Sequence, residues 1–213
     1  MAESLESHPD FTLAHDDGIF FLTLVSPDGT NRLTRNKVKA LTEEIQNLAS
    51  GNAPAVPLVI SGHPAFSAGA DLHEISQLGG PDALGFASMG QHLMNVVERY
   101  PAPVYAAIHG YCMGGGLDLA LACHHRIASP HAIFGHRGAA LGLITGWGGT
   151  QRLPRLVGKA KALEMLVAAE KLHAAEALRI GLVDAVVEDP VVEAVRRLQN
   201  RASRRDSVLP SDL

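Results

Sequence analysis

Three consecutive glycines with an acid close behind make Gly114-Gly115-Gly116-Leu117-Asp118 the stretch of this chain with the plainest chemical content. Glycines lack Cβ atoms, so the backbone can approach a ligand closely and turn its amides toward it. Upstream, Val104-Tyr105-Ala106-Ala107-Ile108 is short, β-branched and aromatic behind Pro103, and reads as a strand. Downstream, Leu117, Ala120, Leu121 and His124 recur at i, i+3, i+4 and i+7, one face of a helix. A helix start contributes unsatisfied N–H groups and a partial positive charge, which suits an oxyanion or a phosphate. Asp118, three residues after Gly115, shares that face and can meet whatever the Gly115 amide binds. The same residues also suit a plain strand-to-helix turn with an acid on the helix dipole, and this stretch alone does not separate the two readings.

A second stretch tips the balance. Ser61-Gly62-His63-Pro64-Ala65-Phe66-Ser67-Ala68-Gly69-Ala70-Asp71-Leu72 follows the apolar run Leu58-Val59-Ile60 and leads into Leu72, Ile75 and Leu78. It is again a strand, a loop of small residues and a helix start, and two such loops in one chain can face each other. Together the two stretches resemble the crotonase family, the enoyl-CoA hydratase/isomerase superfamily. The resemblance extends to Asn31-Arg32-Leu33-Thr34, Arg126-Ile127-Ala128-Ser129, Gly148-Gly149-Thr150-Gln151-Arg152-Leu153-Pro154 and the segment from Ala174 to Asp184. In order and spacing it spans about Phe11 to Val187.

The resemblance implies a crotonase-like α/β fold of repeated ββα units, with two roughly perpendicular sheets surrounded by helices. It also implies the chemistry the family shares, stabilisation of a thioester enolate by two fixed amides. By motif position these amides fall at Ala70 and Gly115, and each is worth roughly 3–4 kcal/mol if oxyanion-hole measurements transfer. The same match sets Ala68, Gly69, Asp71 and Leu72 beside the adenine and pantetheine of coenzyme A, chiefly through main-chain atoms, and makes Gly114 a further substrate-binding residue. The implied partner is an acyl-CoA thioester, with coenzyme A as part of the substrate and no covalently bound cofactor. The implied assembly is a homotrimer or a dimer of trimers.

Acid–base groups are where the chain departs from the family. Its hydratases typically hold a water between two glutamates, one on the glycine-run helix and one after the Phe-Gly pair. Here the first position is Asp118, as in the dienoyl-CoA isomerase branch. The second falls on Gly138, within Phe134-Gly135-His136-Arg137-Gly138-Ala139-Ala140-Leu141-Gly142, and glycine cannot move a proton. His136, two residues away, shares the side of Gly138 if the segment is extended, and histidine titrates near neutrality. That makes it a substrate-site residue, weighed against the plainer reading of a packed histidine. Trp147, the single tryptophan, stands where the family often has a small residue, so it either narrows the acyl pocket or is plain packing. Ser67 is not in a G-x-S-x-G elbow, since position 65 is Ala, and no histidine has metal-site spacing with Cys or Asp, so no metal is expected. The preferred reading is an enoyl-CoA hydratase/isomerase with Asp118 as acid–base group. The alternatives are a catalytically weak acyl-CoA-binding homologue, or a different crotonase reaction such as thioester hydrolysis or decarboxylation.

The remaining chain must position these residues. Its 213 residues, 46% hydrophobic, are enough for a substantial core, expected as one domain over 1–190 with a short C-terminal helix and tail over 191–213. A net charge of −4 without a strong basic run before the tail makes nucleic acid a poor default partner. Cys112 and Cys123 sit in apolar stretches and point to a reducing compartment. The acidic, polar N-terminus does not read as a signal peptide, and no apolar run is long enough for a membrane, so cytoplasm is expected. Phe11 to Thr23 predicts a hairpin turning at Asp16-Asp17-Gly18, and Thr34 caps a helix through Val38, Leu41, Ile45 and Leu48. Gly79-Gly80-Pro81 is expected to separate the Leu72 helix from one over about Ala83 to Tyr100. Arg126–Ala128, Ala132–Phe134 and Val183–Val187 are expected strands. Family members normally continue past Gly181-Leu182-Val183-Asp184 into helices that build the trimer and cover the acyl pocket. Here Val191 to Leu198 is amphipathic and Arg201 to Asp206 is expected as solvated tail.

Overall fold

The structure, a computed structural model, describes residues 3–51 and 54–206. Met1 and Ala2 of the expected N-terminus and 207–213 of the expected tail lie outside the described residues. Strands β1 (Glu3–His8), β2 (Phe11–Asp16) and β3 (Ile19–Leu24) form an antiparallel meander. The β2–β3 turn places Asp17 and Gly18 at φ 47° and 70°, the two left-handed residues that match strand twist. After β4 (Arg32–Leu33), helix α1 (Arg35–Gly51) starts where the Thr34 hydroxyl accepts from the Lys37 amide at 3.2 Å. Its Val38, Leu41, Ile45 and Leu48 form the buried face, each contributing roughly 1.5–3 kcal/mol by leaving water.

Next come β5 (Leu58–Gly62), β6 (Gly69–Ala70), the short α2 (Leu72–Ser76) and α3 (Gly80–Glu98). Gly80 and Pro81 belong to the first turn of α3 rather than to a separating loop, because proline's missing N–H costs nothing there. Strands β7 (Val104–Ile108) and β8 (Tyr111–Met113) lead into α4 (Gly115–Ala122), followed by β9 (His125–Ala128) and β10 (Ile133–Gly135). Helix α4 stops before His124, whose Nδ1 accepts from the Val104 amide at 2.8 Å, so that histidine ties a strand end instead of extending the helix face. A 3-10 turn spans Gly138–Leu141. Then follow α5 (Gly149–Val157), α6 (Lys159–Ala168), β11 (Leu172–His173), α7 (Ala174–Arg179), β12 (Ala185–Val186) and α8 (Pro190–Asp206). Helix α8 runs on through Arg201 to Asp206, where sequence suggested a tail.

Seven strands form one sheet in the order β1-β2-β3-β5-β7-β9-β12. A three-stranded sheet, β11-β10-β8, and a two-stranded one, β4-β6, carry the loops described below. β5 and β7 are buried at every position, as continuous apolar runs in a central parallel pair must be. Their side chains divide by the two-residue period. Leu58, Ile60, Val104, Ala106 and Ile108 join the main core with α1, α3 and α4, whereas Val59, Tyr105 and Ala107 meet Ala194 and Leu198 of α8 on the opposite face. Of the described residues, no helix is long and apolar enough to cross a membrane.

Candidate active site

Backbone hydrogen bonds, not side chains, bring the two glycine-bearing loops together. Ser67 N donates to Tyr111 O at 2.9 Å and Met113 N donates to Ser67 O at 3.0 Å, so the first loop runs beside β8. The Ser67 hydroxyl donates to Asn31 O at 2.7 Å and accepts from the Gly69 amide at 3.1 Å, which joins its loop to the Asn31 segment. Gly116 lies against it, since a Cβ added there would stand 2.7 Å from Ser67 Cβ. Gly114 has φ 50° and ψ −119°, a conformation for which a side chain is unsuited, and it swings the chain from β8 into α4. A Cβ added at Gly69 would stand 3.0 Å from Gly115 N, and one added at Gly115 would stand 3.2 Å from Ala70 N. The Ala70 and Gly115 amides are therefore neighbours, and the Gly115 N–H, first in α4, has no preceding turn to bond to.

Gly114 N also donates to Gly135 O at 2.8 Å, which carries the end of β10 to the start of α4. The result is a set of polar side chains inside a largely apolar cavity of about 310 Å³. Asp118 and His136 are 2% and 4% exposed, and Asp118 Oδ1 lies 3.3 Å from His136 Nε2. The Thr145 hydroxyl donates to Asp118 Oδ2. A Cβ at Gly149, the first residue of α5, would overlap Asp118 Oδ1 and stand 2.9 Å from His136 Nε2. Glycine there is what leaves room for the pair.

Of the residues named from sequence, Ala68, Ala70, Leu72, Gly114, Gly115, Asp118, His136 and Trp147 border this cavity. Gly69 and Asp71 do not. Gly69, at φ 96°, packs behind the amides. The Asp71 carboxylate caps α2 through the Glu74 amide at 3.0 Å and meets Arg32 Nε at 3.3 Å, leaving its backbone for any ligand. Trp147 is buried in the space that Gly90 of α3 and Gly115 leave open, with Nε1 donating to Phe86 O at 3.2 Å, and the same ring walls the cavity. Cys112 and Cys123 are buried, and burial pushes both thiols up, Cys123 to about 12, so neither supplies a thiolate nucleophile. Thr145 and the clearance at Gly149 escaped sequence reasoning, because no periodicity links position 145 to its partner 27 residues earlier.

The segment after β10 is not extended as far as Gly138. His136 and Gly138 both border the cavity, but Gly138 opens the 3-10 turn. A Cβ at Gly138 would stand 2.9 Å from the backbone oxygen of Leu143, which cannot give way as a flexible side chain would. A carboxylate is missing there and has no room. Gly138→Glu is expected to lower stability by roughly 1–3 kcal/mol in urea unfolding, without any gain in hydratase activity.

The chain has relatives among known proteins. The model of the enoyl-CoA hydratase/isomerase family matches residues 14–207. A crotonyl-CoA hydratase from Syntrophomonas wolfei is 35% identical over 199 residues, covering 92% of this chain and 76% of that protein. A probable enoyl-CoA hydratase from Bacillus subtilis is 41% identical over 191 residues, covering 88% and 73%. The crystal structure of an enoyl-CoA hydratase from Bacillus anthracis superposes with a TM-score of 0.85 at 31% identity, covering 91% of this chain and 77% of that one. The family match runs through both loops and the cavity wall between them, and by it the chain belongs to the enoyl-CoA hydratase/isomerase family.

Proposed function

We propose that the protein is an acyl-CoA enzyme of the hydratase/isomerase type in fatty-acid metabolism, with Asp118 moving the proton. The observation that carries this reading is the adjacency of the Ala70 and Gly115 amides beside a buried Asp118. Two N–H donors set close together can donate to the thioester oxygen as it gains negative charge, and a dry site strengthens both bonds. The acyl chain then lies among Phe86, Leu141, Ile144 and Trp147, whose apolar surface suits an unsubstituted hydrocarbon. Coenzyme A enters as part of the substrate and leaves with the product. The test is an assay of purified protein against crotonyl-CoA, a 3-enoyl-CoA and a dienoyl-CoA, followed by absorbance and mass. Turnover of at least one is expected, and inertness toward all three would leave only a binding protein.

The assembly proposed with it is a trimer or a dimer of trimers in the cytoplasm. Leu163 and Val167 of α6, 64% and 65% exposed one helical turn apart, support a subunit contact. Light scattering that gave a clean monomer, or fractionation that put the protein elsewhere, would overturn these two points.

A further inference from the structure

Asp118 Oδ1 and His136 Nε2 are both buried, both lack a hydrogen-bond partner and stand 3.3 Å apart at the wall of the same cavity. Buried polar atoms are rarely left unpaired, and apart from the contact between them neither of these two has a hydrogen bond, so both remain open to a group brought to the wall their residues form. Gly149 supplies the clearance, and Thr145 fixes the other carboxylate oxygen, so the pair is held rather than loose. The position that would offer a second carboxylate is Gly138, which has neither the group nor the space.

We propose that His136 is the second proton-handling residue of the reaction, and that it and Asp118 work as one unit holding a single proton. This rests on the acyl-CoA reading above and deepens it. In hydration, Asp118 takes a proton from water as the water oxygen bonds to C3 of the enoyl thioester. The electron pair of the double bond moves toward the thioester oxygen, held by the Ala70 and Gly115 amides. Protonated His136 then gives its Nε2 proton to C2. The sum is one water added, and transfer of the proton from Asp118 to His136 across 3.3 Å restores the starting state. In isomerisation the same pair removes a proton at one carbon and returns it at another.

Such a unit is active with one proton and inactive with none or two, which gives a bell-shaped pH profile. The charged groups around His136 are few. Asp118 of α4 faces it, Arg137 follows it and borders the cavity, and Arg152 of α5 is turned away toward Glu98 and Asn95. Glu170 comes near the end of β10 with its backbone oxygen.

The decisive experiment measures kcat/KM against pH for parent and His136→Gln on whichever enoyl-CoA the parent turns over, together with deuterium entry at C2 of butyryl-CoA in D2O. His136→Gln is expected to lose roughly 10²–10³-fold in both, to bind butyryl-CoA within about threefold of the parent, and to lack the alkaline limb of the profile. A merely packed histidine would leave the shape of that profile alone. Exchange and turnover within about threefold of the parent would overturn the proposal while leaving the acyl-CoA reading intact. So would a parent profile without an alkaline limb, a measurement that needs no variant. A parent inert to every thioester would end both.

Discussion

Asp118→Asn should lose nearly all turnover, a factor of roughly 10²–10⁴ in kcat for one general acid–base group, and should still bind acyl-CoA. The amide has nearly the shape of the carboxylate and keeps an oxygen able to accept from the Thr145 hydroxyl, so the cavity wall survives. What disappears is a group able to take a proton beside the Ala70 and Gly115 amides. No second carboxylate compensates, because Asp118, His136 and Arg137 are the titratable residues on the wall among those described. The check is steady-state kinetics with separate measurement of Kd. An Asp118→Asn protein that turns over an acyl-CoA as fast as the parent refutes the role.

Gly149→Ala is the second large effect, and it acts without touching a reactive group. The added methyl would overlap Asp118 Oδ1 and crowd His136 Nε2 and Thr145 Cγ2, both at 2.9 Å. The carboxylate must turn or the start of α5 must retreat. Either displacement takes the acid out of line with a thioester held by the amides, and a misplacement of about 1 Å can cost around 10²-fold. Position 149 opens α5, so the helix-interior preference for alanine over glycine gives little to offset the overpacking. The expected result is a loss of roughly 10²-fold in kcat with a modest change in urea midpoint. An unchanged kcat would show that the carboxylate position is not constrained as described.

These two predictions differ in how far the sequence could have made them. Gly115, Ala70 and Asp118 were legible because glycine runs and helix spacing are local, and the strands Val104–Ile108 and Leu58–Ile60 carry their burial in their composition. Gly149 was legible only as part of a motif. Its meaning is the clearance it gives to a carboxylate on another helix, a fact of tertiary packing. Thr145 reads as a loop residue until the fold turns it onto Asp118. At Gly138 the loss of a carboxylate was visible from the residue type, but the backbone oxygen of Leu143 that fills its space was not. Among the elements, β8 and β11 are too short for periodicity to register, and they exist because β10 between them offers both edges. The start of α3 is hidden in the sequence because Gly80-Pro81 has the composition of a loop, although proline fits the first turn of a helix.

The most direct measurement is a crystal structure with a saturated acyl-CoA such as butyryl-CoA bound. The thioester oxygen is expected at about 2.7–3.1 Å from both Ala70 N and Gly115 N, with C2 and C3 turned toward Asp118 and His136. A thioester oxygen bonded to neither amide, or an acyl chain lying away from Asp118, would contradict it.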